Sequence, residues 1–215
     1  MRPNIESNLS LSTVTWDLLG ELQLSRQKEA REVFQEAVDL YSELDSDRPG
    51  VFQSDLARSC DNLGAVLREL GRLLEALPII QEALRVRRQR VEEQPEAFRG
   101  ELALSLVNLG AVLGDLERWR EALEAVEEAV AIRRQLAREN PTVYEPVLSK
   151  SLKNLCLVLG RLDRQELAMS TAEEGIRLLR PHMSRSPSEF VELMNSLEQL
   201  HQSLGFTLDQ RTNEP

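Results

Sequence analysis

The feature that most constrains this chain is a period. The segments Pro49 to Phe52, Pro95 to Phe98, Pro141 to Tyr144 and Pro187 to Phe190 all read proline, two residues, aromatic, and each begins 46 residues after the last. Between these marks Asn62-Leu63-Gly64, Asn108-Leu109-Gly110 and Asn154-Leu155-Cys156 keep the same step, and Gln199-Leu200-His201 follows 45 residues later. A third series pairs small residues seven apart: Ala30 with Ala37, Ala76 with Ala83, Ala122 with Ala129, and Ala168 with Gly175. A unit of this size cannot bury its apolar face alone, so successive units must stack on one another.

Each unit reads as two helices. In the third unit Leu102, Leu106, Leu109 and Leu113 form one apolar stripe and Ala122, Val126, Ala129 and Ile132 a second, both at helical spacing. From Leu18 to Leu204 the strong helix formers Leu, Ala, Glu, Gln and Arg dominate, and no stretch alternates as a strand does. The first helix of a unit stops near Gly71, Glu117 or Asp163, and the second runs on to the proline mark, because a proline turns the residue before it away from the helical conformation. The expected architecture is all α: helix-turn-helix hairpins over about 12–48, 53–94, 99–140 and 145–186, closed by a capping helix over 190–206. That cap sets polar Glu192, Glu198, Gln199 and Gln202 beside its leucines, as a covering end requires. Residues 1–11 and 207–215 are expected to be flexible ends.

Composition removes several functions. A net charge of -10 opposes the phosphate neutralisation on which nucleic-acid affinity rests. The arginine clusters at Arg85, Arg87, Arg88 and Arg90, at Arg133, Arg134 and Arg138, and at Arg177 and Arg180 stand among carboxylates such as Glu82, Glu128 and Glu174, and are read as mixed, solvated helix faces. No leader-type segment opens the chain and no uncharged apolar run approaches a bilayer's thickness, so no membrane partner is expected and the cytoplasm is the expected location. Cys60 and Cys156 are read as buried, reduced thiols, His182 as a loop residue, His201 as a residue of the cap, and neither histidine as a metal ligand. Trp16 and Trp119 fall at packing positions. No nucleophile motif or phosphate loop is present, so neither catalysis nor a cofactor is expected.

The residues resemble the tetratricopeptide repeat. Its signature appears as Trp16, Leu19 and Gly20 followed by Ala30, Phe34 and Ala37, with the gap from Gly20 to Ala30 two residues shorter than in later units. It continues as Cys60, Leu63, Gly64, Leu67, Ala76, Ile80 and Ala83, then as Leu106, Leu109, Gly110, Leu113, Ala122, Val126 and Ala129. The family's usual unit is about 34 residues; the longer one here resembles the elongated repeats of kinesin light chains. The resemblance implies a right-handed superhelical α-solenoid whose concave face, lined by the first helix of each hairpin, receives an extended peptide or a partner's helix.

Carried onto this chain, the family's groove positions are Arg58, Asp61, Asn62, Ala65 and Arg68, then Leu104, Val107, Asn108 and Ala111, then Lys150, Lys153, Asn154, Leu157 and Arg161. One amide both donates and accepts, so Asn62, Asn108 and Asn154 can pair with successive backbone groups of a peptide, or else bond to the neighbouring hairpin and fix the stacking. The cations favour a protein or peptide ligand bearing carboxylates. A scaffold that self-associates through its convex face or an end is the competing expectation.

Overall fold

A computed structural model describes the backbone of residues 5–212 and the side chains of residues 23–205. Among these there are eight helices and no strand: α1 Ile5–Asp47, α2 Gln53–Glu69, α3 Leu73–Glu93, α4 Pro95–Asp115, α5 Trp119–Glu139, α6 Pro141–Arg161, α7 Gln165–Met183 and α8 Pro187–Thr212. The chain divides into two compact units, Met1–Ile79 and Ile80–Pro215. The division falls inside α3.

Within each later repeat the turn between helices is one device used three times. Gly71, Glu117 and Asp163 have φ of 72°, 59° and 64°. Each donates its N–H three residues back, and the following arginine donates to the carbonyl five back: Arg72 to Leu67 at 2.8 Å, Arg118 to Leu113 at 2.8 Å, Arg164 to Leu159 at 3.0 Å. This is the Schellman arrangement, which satisfies the last carbonyls of the first helix. The three turns lie at the residues where the periodicity ends the first helices.

The proline marks do something different from what the sequence suggests. Pro95 and Pro141 are the first residues of α4 and α6, and the only non-helical residues before them are Gln94 and Asn140, at φ −144° and −140°. Proline has no N–H to lose at a helix's first position, and its fixed φ suits the helix, so the proline opens the helix that it was expected to delay. The hairpins therefore span 95–139 and 141–183, and the expected starts at 99 and 145 are late by one turn. At the first boundary the expected start at 53 holds. There Asp45 Oδ1 accepts the N–H groups of Gly50 at 3.0 Å and Phe52 at 3.4 Å, and Phe52 meets the Tyr41 ring at 6.3 Å.

The hairpin expected over 12–48 is instead one helix, α1, unbroken to Asp47. Two residues are missing between Gly20 and Ala30, and the place of Gly71, Glu117 and Asp163 is taken by Ser25, so the segment lacks the length of the later turns. The ends expected to be flexible overlap α1 and α8, which reach Ile5 and Thr212; residues 1–4 and 213–215 lie outside the described residues, as do the side chains of Trp16, Leu19 and Gly20.

In the second unit each helix packs on the next, and the first helices α4, α6 and α8 also touch in sequence. That is the neighbour-only contact pattern of an α-solenoid. Ala122 and Ala129 are fully buried and admit α4 closely enough that a Cβ on Gly110 would stand 2.4 Å from Val126 Cγ2. At the equivalent places of the next hairpin the volumes are exchanged, with Cys156 for Gly110 and Ala172 for Val126, both buried. Gly175 plays the small-residue role beside Leu197, whose methyls lie 3.1 and 3.2 Å from its would-be Cβ.

Successive repeats are joined by arginines that are not solvated. Arg87 and Arg133 are both buried. Arg133 Nη1 donates to the carbonyl of Val147 at 3.3 Å and to Ser151 Oγ, and Arg87 Nη1 donates to the carbonyl of Glu101, the equivalent residue one repeat earlier. Burial lowers the Arg133 pKa to about 10, which still leaves it protonated at neutral pH. The solvated reading of the arginine clusters fails at these two positions and holds for Arg85, Arg88 and Arg134, which pair with Glu82, Glu128 and Glu174; Arg90 is half-buried, pairing with Glu93 and lying over the Phe98 ring at 4.5 Å. Arg88 and Arg134 each reach 40 residues along the chain, tying one second helix to the next.

The helix α4, with a mean hydropathy of 1.2 over its best window, is long and apolar enough by composition to cross a membrane. Its leucines have a use within the unit: Leu102, Leu106 and Leu113 are buried, and Leu102 and Leu106 join Ala125 and Ala129 in one core cluster.

Two substitutions test this packing. Gly110→Ala should lower the unfolding free energy by about 1 to 2 kcal/mol, overpacking against Val126 outweighing the gain in helix propensity, and adding Val126→Ala should recover part of the loss in thermal unfolding. Arg133→Ala should cost about 2 to 4 kcal/mol by removing a packed stem and stranding two acceptors, whereas Arg133→Met, which keeps the stem, should cost measurably less.

Candidate partner-binding face

The first helices of the second unit present one row each. On α4 the row is Leu104, Val107, Asn108 and Ala111; on α6 it is Lys150, Lys153, Asn154, Leu157 and Arg161; on α8 the equivalent places hold Asn195, Glu198, Gln199 and Gln202. Spacings of three, four and seven put the members of each row on one side of their helix. Since α4 touches α6 and α6 touches α8, the second unit brings together all nine proposed site residues that lie within it.

Within this face the middle is apolar and open. Leu104 is 44% exposed and Leu157 45% exposed, while Val107, Asn108, Ala111, Lys153 and Asn154 are half-buried, and Lys150 and Arg161 exposed. Arg161 lies over the ring of Trp119, 5.5 Å from its centroid, and Trp119 packs against Gly114. Trp119 is thus half-buried at the turn between α4 and α5, in the packing role expected of it.

The remaining five proposed residues, Arg58, Asp61, Asn62, Ala65 and Arg68, belong to α2 in the first unit, Ala65 being half-buried. Asn62 is exposed, and Arg58 is exposed but paired with Asp55 one turn away. Asp61 is a correction. It is only 3% exposed and so cannot line an open groove; its neighbours Cys60 and Leu63 are buried with it.

Other titratable groups are occupied in packing. His182 lies inside α7 rather than in a loop; it is buried, with Nε2 2.8 Å from Glu145 Oε2 and its ring edge-on to Phe190 at 6.1 Å. His201 meets Glu173 at 3.0 Å. Cys60 and Cys156 are buried and outside any disulfide, and burial pushes the Cys156 thiol up to about 11, which keeps it protonated and unreactive near neutrality. Glu82 is held below the ordinary carboxylate range by its hydrogen bond from Arg85. Among the described residues no group of three or more His, Cys, Asp or Glu is placed to hold a metal ion.

Reasoning from residue types alone overlooks the stapling residues Arg87, Arg133 and Ser151. Their signal was present, since Arg87 and Arg133 keep the 46-residue step, as do Ser59, Ser105 and Ser151; all five are buried.

Comparison with known proteins agrees with this geometry. Residues 53–135 match the family described as Tetratricopeptide repeat. The solved structure of BtubC (BKLC) from P. vanneervenii is similar with a TM-score of 0.61 at 18% identity, over 82% of this chain and 66% of that one. A kinesin-light-chain-type protein of Podosopora anserina with nearly identical TPR-like repeats is similar with a TM-score of 0.52 at 15% identity, over 91% of this chain and 97% of that one. No curated protein matches the chain. With hairpins, turns and small-residue contacts recurring at one step, residues 53–135, the two hairpins from α2 to α5, match the tetratricopeptide repeat, and the all-helical repeat fold of the chain is similar to that of the kinesin-light-chain-type protein.

Proposed function

We propose that the chain is a protein-interaction module that holds an extended segment of another protein, carrying acidic and apolar side chains, along the α4, α6 and α8 face of its second unit. Repeats of this family serve protein–protein interaction in general. The observation that carries the finer reading is the row on α6: an exposed Leu157 flanked by Lys150, Lys153 and Arg161, in a chain whose net charge is -10. A cationic row on an acidic protein selects an anionic partner and repels other copies of an acidic surface.

The geometry suits an extended ligand. Packed helices stand about 8 to 10 Å apart and an extended chain advances about 3.3 Å per residue, so each repeat meets about three ligand residues. Asn108 and Asn154, one per repeat, offer an amide to the ligand backbone at that interval, and Leu104 and Leu157 offer apolar contact beside them. Such a module carries out no reaction of its own. Two thiols outside any disulfide fit a reducing compartment, and we place its action in the cytoplasm.

A second reading, self-association, is favoured by one observation in the first unit: Val33 and Leu40 of α1 are largely exposed.

To test the first reading, labelled peptides that combine Asp or Glu with Leu would be titrated by fluorescence anisotropy, beside charge-reversed versions. The acidic set should bind and the basic set should not. Lys150→Glu/Lys153→Glu and Asn108→Ala/Asn154→Ala should each weaken binding at least about tenfold, or about 1.4 kcal/mol, with helicity unchanged by circular dichroism. Equal affinity in the wild type and both variants would move the site off this face. Affinity capture with the wild type and with Asn108→Ala/Lys153→Glu then identifies the natural ligand by its loss from the variant.

A further inference from the structure

The second half of α1 is a second helix without its first. Counting by the 46-residue step, Ala30 and Ala37 correspond to Ala76 and Ala83 and to Ala122 and Ala129; those four are fully buried, while Ala30 and Ala37 are half-buried. Val33 corresponds to half-buried Ile79 and to Ala125 and Thr171, both buried, yet is itself 61% exposed; Leu40 corresponds to buried Val86 and to half-buried Ile132 and Leu178, and is 54% exposed. In the third repeat the equivalent residues Ala125 and Ile132 are covered by Leu102, Ala103 and Leu106 of α4 and by Leu84 and Val91 of α3. What the first repeat lacks is a counterpart to α4.

The residues for that counterpart are present in the sequence. Residues 9–24 carry the first-helix signature Trp16, Leu19 and Gly20 with Leu9, Leu11, Val14, Leu18 and Leu22. Because α1 runs straight through Ser25, this segment is carried away from Val33 and Leu40 of its own chain. It spans the reach of a second copy instead.

We propose that two copies of this chain exchange these segments, residues 9–24 of one packing on Val33 and Leu40 of the other, so that two α1 helices lie antiparallel about a two-fold axis near Ser25. Register supports this pairing: about Ser25 the two copies oppose residues whose numbers sum to 50, which sets Gly20 of one level with Ala30 of the other, the equivalents of Gly110 and Ala122, which meet in the third repeat. The contact is self-complementary, as an exchange of identical elements requires, and α1 at 43 residues offers about 65 Å of helix to it.

The full-length chain would be measured by light scattering through a wide dilution series. A mass of twice the chain, falling to one chain on dilution, is expected. Val33→Glu/Leu40→Glu should give the single-chain mass at every concentration with helicity retained. A second variant, Ser25→Gly with Gly-Asn inserted before it, restores the missing length and a residue suited to positive φ; it should be monomeric with the same helicity, because the segment then folds back on its own chain. A wild type that is a single chain throughout, or a dimer that persists in both variants, overturns the proposal. Neither result bears on peptide binding by the second unit.

Discussion

A buried guanidinium reaching a backbone carbonyl of the next repeat is the interaction on which the stacking of the second unit depends. Helices that meet through alanine and glycine approach closely but slide easily, since small side chains make shallow ridges and grooves. Arg133 removes that freedom by donating to Val147 O and Ser151 Oγ on α6, and Arg87 does the same to Glu101 O on α4. Burying such a cation is costly unless its hydrogens are taken up, and that cost makes any other register unfavourable. Along the series the residue changes with what it faces: Tyr41 in α1, then Arg87 and Arg133, then Leu179. At Leu179 the neighbour is α8, whose Phe190, Leu193, Met194 and Leu197 close an apolar cluster and end the ladder.

Because the staples consume the backs of the first helices, the fronts are left to the solvent. Leu104 and Leu157 are exposed there for want of a partner element, beside lysines that no carboxylate of the same row neutralises on α6. The exposed arginines of the second helices are spent on Glu128 and Glu174. The second helices thus balance their charges across repeats, whereas the α6 row is cationic.

Much of this was legible from the period alone. The helical hairpins from α2 onward, the three turns at Gly71, Glu117 and Asp163, the small-residue contacts and the rows on α4 and α6 follow from spacing, because helical geometry converts a sequence interval into a face. Three kinds of residue escaped. Pro95 and Pro141 suggest loops from sequence because proline both breaks a helix interior and opens a helix start; the structure shows the second at both places. Asp61 falls at a groove position by spacing, yet it is buried. Residue type points Arg87 and Arg133 to solvent and the proline mark points His182 to a loop, whereas all three find partners 14 to 37 residues away.

The sequence by itself determined the repeat, its helical content and its turn positions, since these rest on local propensity and on contacts repeated at a constant interval. Tertiary structure alone decided which polar groups are buried, where α1 fails to fold into a hairpin, and which leucines remain uncovered. Those outcomes depend on whether a specific partner group arrives from another repeat, and no interval within one repeat encodes that.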